Sequence, residues 1–220
     1  MSRDALALLA SALMVAAYAV RAFASLRRDS AATVQGISRH ARLLWVKNVM
    51  HDKGKDVMAV QTLRNYVMAA TFKASTAAIL IMGTLTLSVQ AGRFGLNTGL
   101  RLHDLPDPWW TAKIAGLLAM LTLAFFSFAM VIRNLNHVVF MIGLRVEDAT
   151  GVLAPERIAY RLNQAGNLYT LGMRAIFMTV PMVFWLLGPG FLLAATAAVI
   201  AVFHLLDKPL APDLISNARD

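Results

Sequence analysis

The 220-residue chain contains no cysteine. That excludes a disulfide framework and any thiolate-held metal site. Acidic residues are scarce as well: 12 Asp and Glu face 21 Lys and Arg, a formal net charge of +9. The apolar stretches at residues 68–90, 110–132, 174–187 and 191–206 hold no Asp or Glu at all. Carriers driven by protons or cations usually place acids inside the membrane, so this absence counts against ion-coupled transport. His40, His51, His103, His137 and His204 show no metal-ligand spacing. There is no G-x-S-x-G elbow and no glycine-rich phosphate loop. No catalytic residue, metal site or cofactor is therefore expected, and an enzyme is disfavoured.

Apolar residues are abundant. They make up 58% of the chain, with a mean hydropathy of +0.60, and they collect in long runs. About 20 apolar residues suffice to cross ~30 Å of hydrocarbon as a helix. The runs predict an all-α, polytopic transmembrane bundle of about five spans, at residues 5–24, 68–90, 110–132, 174–187 and 191–206. In the first, Ala22-Phe23-Ala24 has the small-x-small form of a signal cleavage site. Asp4 offsets Arg3, however, and Arg21 abuts the cut, so a retained span is expected. After residue 132 helical patterning continues to about Leu144, so that helix should project beyond the membrane. The last apolar region is interrupted by Gly188-Pro189-Gly190, which predicts a hairpin of two spans, with one kinked helix as the alternative. Residues 1–208 read as one transmembrane domain and residues 209–220 as a polar tail.

Charge sets the expected direction. Arg27, Arg28, Arg39, Arg42, Lys47, Lys53, Lys55 and Arg64 crowd the first connection, whereas residues 91–109 hold only Arg93 and Arg101, balanced by Asp104 and Asp107. Arg133, Arg145, Arg157, Arg161 and Arg174 crowd the third. Basic loops stay in the cytoplasm, so the amino terminus is expected outside a bacterial inner membrane and the carboxyl terminus inside. Trp109, Trp110 and Trp185 then fall together at the outer interface, where tryptophan is favoured. This pattern accounts for the basicity without nucleic acid. Residues 37–50 form a candidate surface helix, with Leu44 and Trp45 dipping into lipid. Lys73, near a span end, is expected to snorkel.

Three helices carry polar stripes at helical spacing: Gln61, Arg64, Met68, Thr71 and Ser75; Ser127, Met130, Asn134, His137 and Met141; and Tyr160, Asn163, Asn167, Thr170, Arg174 and Met178. Polar groups near lipid normally face a bundle interior, although they can also simply join helices. If the stripes converge, Gln61, Arg64, Asn65, Arg133, Asn134, His137, Asn167 and Arg174 form a cytoplasm-facing site for an anion or lipid headgroup, because a guanidinium fork fits phosphate or carboxylate. The twelve methionines read as packing filler.

Ala59-Val60-Gln61-Thr62-Leu63-Arg64-Asn65, followed by Met68-Ala69, resembles the domain of unknown function 599 family. The likeness extends to Trp45-Val46 and Met50, and to Leu171-Gly172-Met173-Arg174-Ala175, Pro181 and Trp185-Leu186-Leu187-Gly188-Pro189. The resemblance implies a multi-spanning membrane protein with no assigned activity. The leading functional expectation is a binding, scaffolding or accessory protein that contacts membrane lipids. Small residues repeated at Ala70, Ala74 and Ala78, and at Ala194, Ala198 and Val202, add homo-oligomer or membrane-complex assembly to it. A small channel or carrier for an anionic solute is the alternative, and a membrane enzyme comes third.

Overall fold

A computed structural model describes residues 2–28, 34–97, 109–145, 147 and 149–206. Among these every regular element is helical. The helices are α1 (Arg3–Arg28), α2 (Val34–His51), α3 (Asp56–Asn97), α4 (Trp110–Ile142), α5 (Pro155–Trp185) and α6 (Pro189–Leu206). Short 3-10 turns at Lys53–Lys55 and Gly151–Leu153 precede α3 and α5. Asp52 caps the first of these by accepting the Gly54 N–H at 3.0 Å. That bond, and Lys55 at 3.2 Å, hold the Asp52 carboxyl below the usual carboxylate range. The expected tail at residues 209–220 lies outside the described residues.

Helices α1, α3, α4 and α5 are long and apolar enough to cross a membrane, and α6 is a shorter apolar helix. The fold is thus the expected helical membrane bundle. Two helices extend beyond the expected spans. α3, which holds residues 68–90, runs unbroken from Asp56 for 42 residues, about 63 Å. α5, which holds most of residues 174–187, starts at Pro155 and is 31 residues long, about 46 Å. Pro181 lies inside α5 without ending it. The chain turns instead at Gly188, whose φ of +146° suits only glycine, and Pro189 opens α6. The two-helix hairpin is therefore correct, with proline as the first residue of the returning helix.

α4 is the central helix, packed between α3 and α5; α6 packs on α5, α1 on α6, and α2 on α5. Contact in the membrane-spanning part is made close by small residues. Ala74 and Ala77 of α3 and Ala175 of α5 pack with Ala124 and Phe128 of α4. The Phe128 ring lies so near Gly172 of α5 that a Cβ there would sit 2.9 Å from it. The edge of Tyr169 closes the same contact, its ring 5.6 Å from that of Phe128.

The ends of α3, α4 and α5 that exceed a bilayer's thickness are gathered, together with α2, around a second apolar cluster. Val46, Val49, Met50, Ala59, Leu63, Leu135, Val138, Ile142, Ile158 and Leu162 are all buried there. α2 is consequently less a surface helix than expected: its Val46, Val49 and Met50 face protein, while Leu44 remains exposed. Of the two small-residue stripes, Ala70 and Ala74 of the α3 stripe are buried in the bundle with neighbouring Ala77, while Ala78 is half-buried. The α6 stripe does not. Ala194, Ala198 and Val202 line an apolar groove of about 350 Å³ with Phe177, Phe184 and Phe191.

The contact between Gly172 and Phe128 yields a stability prediction. Gly172→Val should destabilise the detergent-solubilised protein by about 1–3 kcal/mol, as overpacking does. Phe128→Leu in the same chain should recover part of that loss. A Gly172→Val melting curve that overlays the native one would contradict this packing.

Candidate functional site

In the cleft between α2, α3 and α5, meaning the seam where these helices meet, lie two cations and two phenols. Arg42 of α2 donates from Nη1 to Asn163 Oδ1 of α5 at 3.2 Å. Its guanidinium lies flat on the backbone of Gly166, where a Cβ would meet Nη1 at 2.6 Å. Only a residue without a side chain admits this approach, so Gly166 is part of the site's construction. One turn further along α5, Tyr169 stacks edge-on against Tyr66 of α3, with ring centroids 5.3 Å apart. The Lys73 ammonium lies 5.0 Å from the Tyr169 ring centroid, within the range of a cation–π contact. Tyr66 and Lys73 are seven residues apart on α3 and therefore share the face turned to α5. Lys73 does not snorkel outward; it turns in against Tyr169.

Among the described residues, the ion pairs are Lys47–Glu156, Lys55–Asp52 and Lys113–Asp4. No described carboxylate lies within ion-pair distance of Arg42 or Lys73. The cleft therefore offers guanidinium and ammonium donors, an Asn163 amide and phenolic hydroxyls, with no acid to compete. That set suits an oxyanion. No group of described residues could hold a metal ion.

The structure does not bring the eight sequence-derived candidates together. Gln61, Arg64 and Asn65 are exposed on α3, Arg133 and His137 are exposed on α4, and Asn134 is half-buried there. Asn167 is exposed on α5. Arg174 is half-buried on another side of α5, its guanidinium 5.9 Å from the ring centroids of both Tyr18 of α1 and Phe203 of α6. α3, which carries Arg64, packs on α4 instead. The faces that converge beside these residues are apolar. Asn163, a member of the third stripe, is the one stripe residue bonded to Arg42.

A second polar cluster escaped the sequence reading. At the opposite end of the bundle, buried Lys113 of α4 pairs with Asp4 of α1 at 3.4 Å. Asp4 also accepts the indole N–H of buried Trp185 at 2.9 Å. The Lys113 ammonium lies 5.9 Å from the Trp185 ring, and Trp109 packs 6.3 Å from it. This clasp ties the start of α1 to α4 and α5. The signal available in the sequence was the lone pairing of signs, one acid at the head of an apolar run and one lysine at the head of another.

The chain belongs to the family described as proteins of unknown function, DUF599, whose model matches residues 6–209. No curated protein and no solved structure matches it.

The clasp can be tested in this cysteine-free chain. Asp4→Ala removes the carboxylate from a buried lysine and should cost on the order of 3 kcal/mol. A single cysteine placed at buried Ala7 should then react faster with a maleimide. Replacing Lys113 with Met in the same chain should return most of the stability. Equal labelling in Asp4→Ala and its parent would mean that α1 is held by other contacts.

Proposed function

We propose that this DUF599 protein is a multi-pass protein of the bacterial inner membrane that binds an anionic headgroup in the cleft between α2, α3 and α5. The α2 end faces the cytoplasm, with the amino terminus outside. The excess of Arg and Lys in the connections at the α2 end supports that orientation, and the pairing of Trp109 with Trp185 supports a membrane interface at the other end.

The observation that carries the binding reading is a pair of cations one turn apart along α5, Arg42 on Gly166 and Asn163 and Lys73 on the Tyr169 ring, with no described carboxylate in reach. Anionic lipids of the cytoplasmic leaflet are the most available oxyanions at this depth. The guanidinium supplies a planar fork for phosphate oxygens and the ammonium a point charge. The role is binding or scaffolding. The contacts of α4 with α3 and α5 are apolar along most of their length, which gives a channel reading no polar path to build on.

Purified protein in nanodiscs tests this. Phosphatidylglycerol retained through purification, measured by native mass spectrometry, should fall at least tenfold in Arg42→Ala/Lys73→Ala. Gly166→Ala should have a similar effect, because its methyl displaces the guanidinium while leaving the helix intact. Unchanged retention of phosphatidylglycerol in both variants would rule out the cleft. Equal retention of phosphatidylcholine would rule out an anion-selective site.

A further inference from the structure

The two most exposed large apolar side chains of the described chain are Phe140, at 82%, and Val57, at 73%. Lipid-facing residues in the spans are exposed because acyl chains cover them. These two have no such cover. Counted from Trp110, about 20 residues of α4 traverse ~30 Å of hydrocarbon. Phe140 then stands about 15 Å beyond its far edge, past the headgroup layer as well. Val57 lies in the first turn of α3. Because Ala59 and Leu63 share one apolar cluster with Val138 and Ile142, the start of α3 lies beside the end of α4. Val57 and Phe140 are therefore at the same end of adjacent helices, both turned away from that cluster. Met58 and Val60 are exposed on the same stretch of α3.

Cations accompany these apolar residues. Arg64 follows one turn after Val60, and Arg133 and His137 precede Phe140 on the exposed face of α4. No described carboxylate lies within ion-pair distance of Arg64 or Arg133. Asp56, exposed beside Val57, is the acid at the tip of α3. Apolar side chains this exposed, on neighbouring helix ends and beside cations, offer a surface for a protein contact.

We propose that this outward face of α3 and α4 beyond the bilayer docks a partner protein through a segment that is acidic and carries an apolar side chain. Three arguments select that occupant. The bilayer lies too far from Phe140 to cover it. A second copy joined by a two-fold axis would set this net-basic face, with Arg64 and Arg133 against Asp56, onto another like it. A segment with Asp or Glu pairs with those arginines, and its apolar side chain covers Phe140 and Val57. The proposal depends on the placement of the spans and is independent of the Arg42 cleft. It gives exposed Gln61, Arg64, Arg133 and His137 a common role at a contact rather than in a pocket.

The test uses the full-length protein in the membranes of its own cell, with a benzophenone amino acid at position 140. Irradiation should attach it to another protein. The crosslinked segment, sequenced by mass spectrometry, should contain at least two Asp or Glu beside an apolar residue. Arg64→Gln/Arg133→Gln should lower the crosslink yield at least fivefold, whereas Arg42→Ala should leave it unchanged. The same benzophenone at position 126, exposed within the span, should react with lipid. Reaction at position 140 with lipid alone, with a second copy of this chain alone, or with nothing overturns the proposal. So does a crosslinked segment without acids, or a yield indifferent to the arginines.

Discussion

A helix longer than the hydrocarbon must leave it, and most of this architecture follows from that constraint. α3, α4 and α5 have 42, 33 and 31 residues, against the roughly 20 that a bilayer needs. Their surplus emerges at the end where α2 lies. Outside the membrane the solvent is water, so the surplus must bury apolar side chains as a soluble protein does. Leu63, Leu135, Val138, Ile158 and Leu162 do this, and α2 supplies Val46, Val49 and Met50 to complete the cluster. The surplus turns and α2 thus share an apolar cluster of their own, continuous with the rest of the bundle. The Arg42 cleft forms at the seam between the two.

Inside the membrane a different driving force applies. Lipid tails are as apolar as leucine, so helices associate through close packing and polar contacts rather than hydrophobic burial. Both are visible. Gly172 admits the Phe128 ring, and Ala74, Ala77 and Ala124 let α3 approach α4. Serine and threonine hydroxyls mostly return to their own helix. Thr71, Thr76, Thr84 and Thr86 all donate to the carbonyl four residues earlier. They satisfy themselves and leave little for a neighbour. Polar contacts between helices include Lys113–Asp4–Trp185 at one end and Arg42–Asn163 and Lys47–Glu156 at the other.

The same change of solvent explains what was readable in the sequence. The existence of the spans was readable because run length is a direct measure of lipid thickness, and the hairpin because Gly188 and Pro189 punctuate an otherwise uniform stretch. The position of the site was not. The α3 stripe is an exposed face, whereas on α4 Ser127 is buried and His137 exposed, and the rule that polar groups turn inward holds only in lipid. Gln61, Arg64, Arg133 and His137 lie on or beyond the surplus turns, where the opposite rule holds and the apolar face turns inward. Lys113 and Lys73 were passed over because a lysine inside an apolar run reads as a boundary or a snorkelling chain. Nothing in a linear pattern shows that its ammonium will meet Asp4, 109 positions earlier, or the Tyr169 ring. Gly166 likewise carries no mark in the sequence of the Arg42 guanidinium that lies on it.

Whether Arg42 is placed to hold helices or to hold a ligand turns on how much of it is used. Its bond to Asn163 engages one of five guanidinium donors, at 3.2 Å. That is long for a bond involving a charged group, where about 2.7–2.9 Å is usual. A hydrogen bond to a charged group contributes roughly 1.5–3 kcal/mol at best, and α2 is already anchored by three buried apolar side chains and by the Lys47–Glu156 pair at 2.8 Å. The anchoring does not need Arg42. A structural arginine would also be better served by a carboxylate, and α5 supplies none on that face: its single acid, Glu156, is taken by Lys47. A half-buried cation positioned over a glycine, bonded to one amide and accompanied by a lysine held against a tyrosine ring, thus engages one of its five donors in that bond, and the proposed headgroup site rests on the others.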